Sequence, residues 1–249
     1  MTSITDRIVL GDCLELLPRI EDGIVDMVLA DLPYGVTQNK WDSVIPLEPL
    51  WSELRRACKP NAAVVLTASQ PFSSALVASN RSMFRHEWVW LKDKGSNFLN
   101  VRREPFKEHD TILVFSHGGW TYNPQMQDRL RSGKKKIGTI DLTGPAGDNY
   151  GSTNRKSYTF TEKRYPTSWR YFKIERGLHP TQKPVDLFRY MIRTYSNEGD
   201  LVLDPCVGSG TSAIAAMREN RRYLCFERDP KYYETASRRV LQEVFGCPS

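Results

Sequence analysis

Two glycines near the C-terminal end of the chain follow a short apolar segment and precede a stretch with helical spacing. They belong to residues 204–211, whose sequence is DPCVGSGT. Glycine lets the backbone turn tightly and approach a ligand closely, and the N-terminus of the following helix offers free N–H groups to an anion. Glu227 comes directly after the next predicted strand, where its carboxylate can accept hydrogen bonds from ribose hydroxyls. This spacing predicts a site for a cofactor that carries a ribose.

The same glycine spacing has two other interpretations. Gly208, Gly210 and Ala213 also satisfy the G-x-G-x-x-A pattern of dinucleotide-binding proteins, so a nicotinamide-dependent oxidoreductase is an alternative. A dinucleotide enzyme would usually continue with more sheet after this unit, whereas only one further strand is predicted here. The simplest structural alternative is a tight turn between a strand and a helix, with no ligand.

A second group of reactive residue types follows another apolar segment. It consists of Asp31, Leu32, Pro33 and Tyr34, just before Gly35. The group combines a carboxylate, backbone carbonyls stiffened by proline, and an aromatic ring. Because ligands of open α/β sheets bind at the carboxyl ends of strands, we predict catalytic residues here. Pro-Tyr-Gly is also common turn chemistry, so an ordinary turn is the alternative.

The elements that must hold these residues alternate between strands and helices. Continuous apolar runs predict strands that are covered on both faces, and apolar spacings of three and four predict helices. The predicted strands are residues 7–10, 24–30, 63–68, 84–91, 111–116, 201–204 and 222–226. The predicted helices are residues 13–20, 47–58, 211–220 and 231–245, with two more led by Pro71 and Pro184. This alternation predicts an α/β fold with a doubly wound, seven-stranded, mostly parallel sheet.

The pattern changes between residues 117 and 178, which are rich in glycine, polar and aromatic residues and show no sustained period. Residues 116–177 carry twelve Lys or Arg against five acids, and the whole chain has a net charge of +6. One quarter of the chain thus supplies the entire surplus, which predicts a polyanionic partner. We therefore divide the chain into a catalytic domain, residues 1–116 and 179–249, and a basic, loop-rich insert, residues 117–178.

The composition argues against several other classes of protein. Of 249 residues, 40% are hydrophobic and 26% charged, and no window approaches the roughly 20 apolar residues that cross a bilayer. The polar N-terminus leads directly into a strand-like segment, so we expect no signal peptide. The five cysteines form no CxxC pair and have no metal-ligand spacing with the four histidines. We expect neither zinc nor disulfides, and a reducing cytoplasm as the location.

Together these motifs resemble the amino-methyltransferases of DNA, which modify adenine N6 or cytosine N4. Residues 31–34 are similar to that family's D/N/S-P-P-Y/F motif, residues 204–211 to its S-adenosylmethionine loop, and residues 179–184 (HPTQKP) to its H-P-T-x-K-P segment. The order of these motifs, with a basic region between them, is that of the beta group. Leu32 departs from the pattern, because the family usually has proline there. The resemblance implies S-adenosylmethionine as cofactor, a circularly permuted sheet and double-stranded DNA as substrate.

The resemblance also implies roles for individual residues. Asp31 and the Leu32 carbonyl would accept hydrogen bonds from the target amino group, and Tyr34 would stack on the flipped base. Lys183, with Thr181, would reach the carboxylate of the cofactor, although a lysine at a helix start is also common on a protein surface. The implied cofactor-binding residues are Asp12, Cys13, Thr181, Lys183, Asp204, Pro205, Cys206, Gly208, Gly210, Thr211 and Glu227. Asp12, which would face the cofactor's adenine, also suits a helix cap.

The resemblance assigns the insert to target recognition. A base inside a duplex must be flipped out, and Lys and Arg can neutralise phosphates. The DNA-contacting residues proposed on this basis are Arg129, Arg131, Lys134, Lys135, Lys136, Arg155, Lys156, Lys163, Arg164 and Arg170.

Several properties of the target and the partners stay open. Asp rather than Ser at position 31 favours adenine N6, because the beta-group cytosine enzymes mostly carry Ser there. A cytosine-N4 enzyme, an RNA target and a non-catalytic DNA-binding protein on a decayed scaffold are the alternatives. Family members are often dimeric, so a homodimer and a cognate restriction enzyme are both open as partners.

Overall fold

The computed structural model describes residues 5–35, 43–128, 138–140, 158–160, 162–178 and 180–246. The chain divides into two compact units, one formed by Met1–Asn123 with Ser168–Ser249 and the other by Pro124–Thr167. The strands of the first unit are β1 (Arg7–Leu10), β2 (Val25–Ala30), β3 (Cys58–Ala68), β4 (Phe84–Leu91), β5 (His109–Phe115), β10 (Trp169–Tyr171), β11 (Leu201–Asp204) and β12 (Arg222–Glu227). Its helices are α1 (Cys13–Leu16), α2 (Leu47–Ala57), α3 (Phe72–Ser79), α4 (Val185–Tyr195), α5 (Thr211–Arg218) and α6 (Pro230–Phe245).

One sheet organises the first unit, with the strand order β1-β12-β11-β2-β3-β5-β4-β10. Neighbouring strands are parallel except at β5, which runs antiparallel to β3 and to β4. Strands from the two ends of the chain interleave, because β1 pairs with β12 and β11 pairs with β2. The segment before the glycine loop therefore comes late in the chain but lies in the middle of the sheet.

The helices cover both faces of the sheet, which confirms the predicted doubly wound, mostly parallel α/β fold. Alternate residues of β2 enter different cores, since Val28 packs with α1, α2 and α3, whereas Met27 and Leu29 pack with α4 and α5. All three side chains are fully buried. Because each face is covered, the strand needs apolar residues at every position, which explains its nearly continuous apolar sequence.

The sheet has eight strands among the described residues, whereas seven were predicted. The additional strand, β10, lies at the sheet edge and pairs in parallel with β4, with Arg170 opposite Trp90. It has three residues and falls within the basic insert, so no apolar run marked it in the sequence. A second difference lies at Lys59, Pro60 and Asn61, which were expected to separate α2 from β3. They belong to β3, where the register between Val25 and Met27 is shifted by a bulge.

The second unit contains two short antiparallel ladders among its described residues. Strand β6 (Gln127–Asp128) pairs with β9 (Lys163–Arg164), and β7 (Gly138–Ile140) pairs with β8 (Tyr158–Phe160). This unit, Pro124–Thr167, begins seven residues later and ends eleven residues earlier than the predicted insert of residues 117–178. At the N-terminal end, the Trp120 ring lies 5.7 Å from the His86 ring. At the C-terminal end, β10 joins the main sheet. In the part of the chain that the structure describes, no helix is long and apolar enough to span a membrane.

Candidate active site

Four acidic residues meet at one edge of the sheet because four neighbouring parallel strands end there. Asp204 and Glu227 are the last residues of β11 and β12, and Asp12 and Asp31 follow β1 and β2. All four line a cavity of about 460 Å³, within the ~300–1,000 Å³ typical of small-molecule sites. The motifs predicted to be catalytic and to bind the cofactor, which lie far apart in sequence, thus face one common cavity.

The two buried carboxylates of this edge shape the glycine loop. Asp204 Oδ1 accepts the Cys206 N–H at 2.9 Å, and its Oδ2 accepts the Ser212 hydroxyl at 2.5 Å. Glu227 Oε2 accepts the Gly208 N–H at 2.8 Å. The loop is therefore stabilised by side-chain acceptors from its own strand and from the next one.

Glycine is required at position 210 for two separate reasons. Its φ of +86° lies in the left-handed region, which side-chain-bearing residues rarely adopt. A Cβ there would also lie 3.2 Å from the Ala236 Cα of α6. Gly208 has a φ of +55°. This conformation starts α5 directly at the cavity, where Gly208 and Thr211 form part of the wall.

Burial changes the protonation of the groups around the loop. It raises the pKa of the Asp204 carboxyl to about 7, even though the Ser212 hydroxyl and the Cys206 N–H act to lower it. Burial likewise raises the pKa of Glu227. The pKa of the Cys206 thiol lies well above its usual range, because the group is buried and Asp204 is near. Cys206 is therefore a protonated wall residue at neutral pH rather than a nucleophile.

The first strand delivers Asp12 and Cys13 to the same cavity. Asp12 caps α1, because its Oδ1 accepts the Leu14 N–H at 2.8 Å. Cys13 is buried, and desolvation, with a smaller effect of Asp12, raises its thiol pKa to about 11. Asp12 thus combines the cap that its residue type suggested with a position on the cavity wall.

Asp31 is held by three side chains from three different parts of the chain. Its Oδ2 accepts a hydrogen bond from Lys183 Nζ at 2.5 Å. Its Oδ1 accepts from the Tyr34 hydroxyl at 2.7 Å and from the Thr67 hydroxyl. These donors leave the carboxylate little freedom to rotate.

Leu32, Pro33 and Tyr34 complete this part of the wall. Leu32 is buried in the core below α1 to α3. The Tyr34 ring is stacked on Phe72, with centroids 5.1 Å apart, and the Lys183 ammonium lies 5.6 Å from the Tyr34 centroid. Burial, followed by the charge of Asp31, raises the pKa of Tyr34 well above its usual value. The hydroxyl therefore stays protonated and donates to Asp31. Stacking of this ring on a base stays a prediction.

Lys183 lines the cavity, as its predicted role requires, and it also makes a contact with Asp31 that the sequence did not predict. Its side chain is only 8% exposed and its ammonium contacts Asp31 rather than standing alone in the cavity. A charge that is this buried must be paired, and Asp31 supplies the pairing. Thr181 also lines the cavity, and its carbonyl lies 3.4 Å from Lys183 Nζ. The expected contact of Lys183 and Thr181 with a cofactor carboxylate stays a prediction.

Two residues that stabilise the site were missed from the sequence, one behind the cavity wall and one in it. Thr67 is fully buried and bonds to Asp31, and a hydroxyl inside the apolar run of β3 was the available signal, since such a group needs a partner. Glu175 was also missed. Its Oε1 accepts the Val185 N–H at 2.9 Å and its Oε2 accepts from the Gln182 side chain at 3.2 Å. Glu175 thereby caps α4 and stabilises the segment that carries Lys183.

The predicted DNA-contacting residues fall into three groups. Lys163 and Arg164 form β9 of the second unit, whereas Arg170 belongs to the first unit. The Arg170 guanidinium lies 5.1 Å from the Tyr190 ring centroid and 5.8 Å from that of Trp88, and Nε donates to the Tyr190 hydroxyl at 2.8 Å. These contacts give Arg170 a packing role at the sheet edge. The others lie outside the described residues: Arg129, Arg131, Lys134, Lys135, Lys136, Arg155 and Lys156.

The strand order and the cavity define a doubly wound α/β protein with a ligand site at the carboxyl ends of its strands. Residues 25–238 match the model of the N6_N4_Mtase family, described as DNA methylase, and the chain belongs to that family. Because the chain belongs to the DNA methylase family, it is not the nicotinamide-dependent oxidoreductase that the glycine spacing also allowed.

Individual relatives are similar over nearly the full chain. The type II methyltransferase M.HpaI of Haemophilus parainfluenzae is 26% identical over 98% of this chain and 76% of its own length. The structure of the M1.HpyAVI–SAM complex has a TM-score of 0.63 and 21% identity, with 94% of this chain and 98% of that chain covered. The cytosine-N4-specific PvuII DNA methyltransferase has a TM-score of 0.64 and 16% identity, with 95% and 90% covered. At these identities the two structures show the shared fold.

Proposed function

We propose that this DNA methylase transfers a methyl group from S-adenosylmethionine to the N6 amino group of adenine in duplex DNA, after the base has been flipped out of the helix. The observation that carries the proposal is Asp31, which is fixed by three donors at the wall of the cavity that the glycine loop also lines. Amino-methyltransferases with adenine as target favour Asp over Ser at this position.

The cavity fits the cofactor. It combines a glycine loop at the start of α5 with buried carboxylates at the ends of adjacent strands, which are the groups that bind a molecule with both an amino-acid and a nucleoside part. The loop around Gly208 and Gly210 would hold the methionine part. Glu227 would accept from the ribose hydroxyls, and Asp12 would face the adenine. When bound, S-adenosylmethionine supplies an electrophilic methyl group.

The contribution of Asp31 is electrostatic. The exocyclic amino nitrogen of adenine is a poor nucleophile, because its lone pair is delocalised into the ring. A carboxylate and a backbone carbonyl that accept its two N–H groups favour the pyramidal form, and both bonds strengthen as positive charge grows on nitrogen. Asp31 and the Leu32 carbonyl are the two acceptors. Lys183, Tyr34 and Thr67 orient the carboxylate beforehand, so that little reorganisation is needed during the reaction.

Binding of duplex DNA is proposed for the basic residues of the insert apart from Arg170, whose guanidinium packs near the rings of Trp88 and Tyr190. Flipping a base costs a few kcal/mol, and phosphate contacts can offset this cost. The charge of the insert supports the proposal, because residues 116–177 contain twelve Lys or Arg and five acids. Affinity for DNA should therefore fall steeply as salt increases.

The test is methyl transfer to unmethylated genomic DNA with methyl-labelled S-adenosylmethionine, followed by digestion to nucleosides. Label in N6-methyldeoxyadenosine is the expected result, and sequencing of the modified sites gives the recognition sequence. Asp31→Ala should abolish transfer, whereas Asp186→Asn, which changes an exposed carboxylate of α4, should not. Label in N4-methyldeoxycytidine would establish the cytosine alternative and overturn the interpretation of Asp31. Binding of the cofactor without transfer to any DNA would point to RNA or to a non-catalytic role.

A further inference from the structure

The connection between β4 and β5, residues 92–108, is an ordered loop beside the catalytic cavity. The Lys92 N–H donates to the Glu108 carbonyl at 2.8 Å, and the Ser96 N–H donates to the Lys107 carbonyl at 3.1 Å. Asn97 closes the loop from within, because its Oδ1 accepts the Lys107 N–H at 2.7 Å. The loop therefore has a defined shape that its own hydrogen bonds maintain.

The tip of this loop exposes large apolar side chains. A 3₁₀ turn at Phe98–Asn100 leaves Phe98 68% exposed and Leu99 83% exposed, and Val101 is 49% exposed. A single exposed apolar residue needs no explanation, but a cluster on an ordered loop marks an interaction site. The tip is therefore built to contact something outside the first unit.

The loop is anchored at the cavity. Gly95, Ser96 and Phe98 line the same cavity as Asp31 and Tyr34. Gly95 packs so closely against the Phe106 ring that a Cβ there would lie 2.4 Å from ring carbons. The apolar tip therefore extends directly from the wall of the cavity that would receive the target base.

The charges around the tip indicate what covers it. Residues 92–108 carry five Lys or Arg against three acids, and the exposed cations Lys94, Arg102 and Arg103 lie on either side of the tip. Apolar groups flanked by cations suit a duplex, which has phosphates outside and stacked bases inside. A second copy of this chain fits less well, because it carries the same cations and a net charge of +6.

We propose that the tip, residues 98–101, is an insertion element. Leu99 and Phe98 enter the duplex next to the target base and occupy the space that the base leaves when it is flipped towards Asp31. This inference rests on the proposed function, since it requires a duplex substrate. The tip stabilises the extrahelical base. Phe98 and Leu99 are therefore positioning residues and not catalytic ones.

The experiment compares two duplexes that contain the methylated sequence found by sequencing. One is fully paired, and the other has an abasic site opposite the target base, so that flipping no longer breaks a base pair. Leu99→Ala is expected to slow single-turnover methyl transfer about tenfold or more on the paired duplex, and less than about threefold on the abasic one. Leu241→Ala, which removes a side chain that is 56% exposed on α6, is the matched control and should leave both rates unchanged.

Three results would overturn the inference. An equal loss on both duplexes would mean that Leu99 supports the fold or the cavity, and unchanged rates would mean that it has no part in flipping. Unchanged rates with a dimer converted to monomer in sedimentation would assign the tip to an interface between copies. By contrast, no transfer by the unaltered protein to either duplex would remove the proposed function itself, and the insertion role with it.

Discussion

Lys183 Nζ lies 2.5 Å from Asp31 Oδ2, although the two residues are 152 positions apart in sequence. The contact joins the segment before α4 to the end of β2, and both side chains are largely removed from solvent, with 8% and 21% exposed. A motif that the sequence linked to the cofactor thereby contacts the carboxylate for which we propose a catalytic role. Several consequences of this arrangement can be measured.

Lys183→Met removes the ammonium but keeps an apolar chain of similar length. The single-turnover rate should fall about a hundredfold, because a partly buried carboxylate loses its cation partner. The affinity for S-adenosylmethionine, measured by calorimetry, should fall much less. Lys59→Met is the control, since Lys59 pairs with Asp26 at 2.5 Å away from the cavity wall. A large loss of cofactor affinity with an unchanged rate would instead support the cofactor-carboxylate role.

Thr67→Val tests the second support of Asp31. The change keeps the shape of a fully buried side chain but removes the hydroxyl donor. We expect methyl transfer to be about ten- to a hundredfold slower, in keeping with the ~1.5–3 kcal/mol of a hydrogen bond to a charged group. Thr111→Val is the matched variant on β5, because the Thr111 hydroxyl donates to the Ala68 carbonyl and not to Asp31. Equal rates for the two variants would remove Thr67 from the site.

Gly210→Ala should destabilise the protein by about 2–3 kcal/mol and weaken cofactor binding. The substitution combines an unfavourable backbone conformation with a contact to the backbone of α6. Gly23→Ala separates the two effects, since Gly23 has a φ of +65° and nothing within 4 Å of an added Cβ. It should cost only about 1 kcal/mol. Denaturant unfolding of both variants gives the comparison, and equal losses would show that the contact with Ala236 is unimportant.

Asp204 should make the protein less stable as pH rises from about 4 to about 7. Because burial raises its folded-state pKa to about 7, the folded protein retains a proton that the unfolded chain releases near its ordinary pKa. The stabilisation from this proton is therefore complete below about pH 4 and is lost as pH rises through 7. The free energy of unfolding should decrease less between pH 5 and pH 8 in Asp204→Asn than in the unaltered protein. The same slope in both would show that Asp204 is ionised in the folded state throughout.

Arg170→Ala separates packing from DNA contact. The guanidinium lies near the rings of Trp88 and Tyr190, so its removal should lower the free energy of unfolding by about 1–2 kcal/mol. The dependence of DNA affinity on salt should not change. Lys163→Ala, in the second unit, should leave stability nearly unchanged and reduce the slope of log affinity against log salt by about one. If Arg170→Ala reduced the slope instead, the original DNA-contact role would be supported.

The sequence by itself determined the fold class and predicted several of the residues that line the cavity. Runs such as 24–30 and 201–204, each apolar except for one Asp, predicted buried strands, because a strand covered on both faces is nearly continuously apolar. The glycines at 208 and 210 marked the loop, because few other residues adopt its backbone conformation. Asp31 and Glu227 were identified because ligands bind at the carboxyl ends of such strands.

Only the tertiary structure decided which of these groups touch. Lys183 reaches Asp31 from the segment before α4, 152 positions away, and Thr67 reaches it from the neighbouring strand β3. Neither contact leaves a local pattern in the sequence. Strand β10 formed because a neighbouring strand offered its edge, and its three residues carry no periodicity of their own. Arg170 could not be assigned from its charge, because the same guanidinium serves a phosphate or an aromatic ring equally well and only its neighbours distinguish the two.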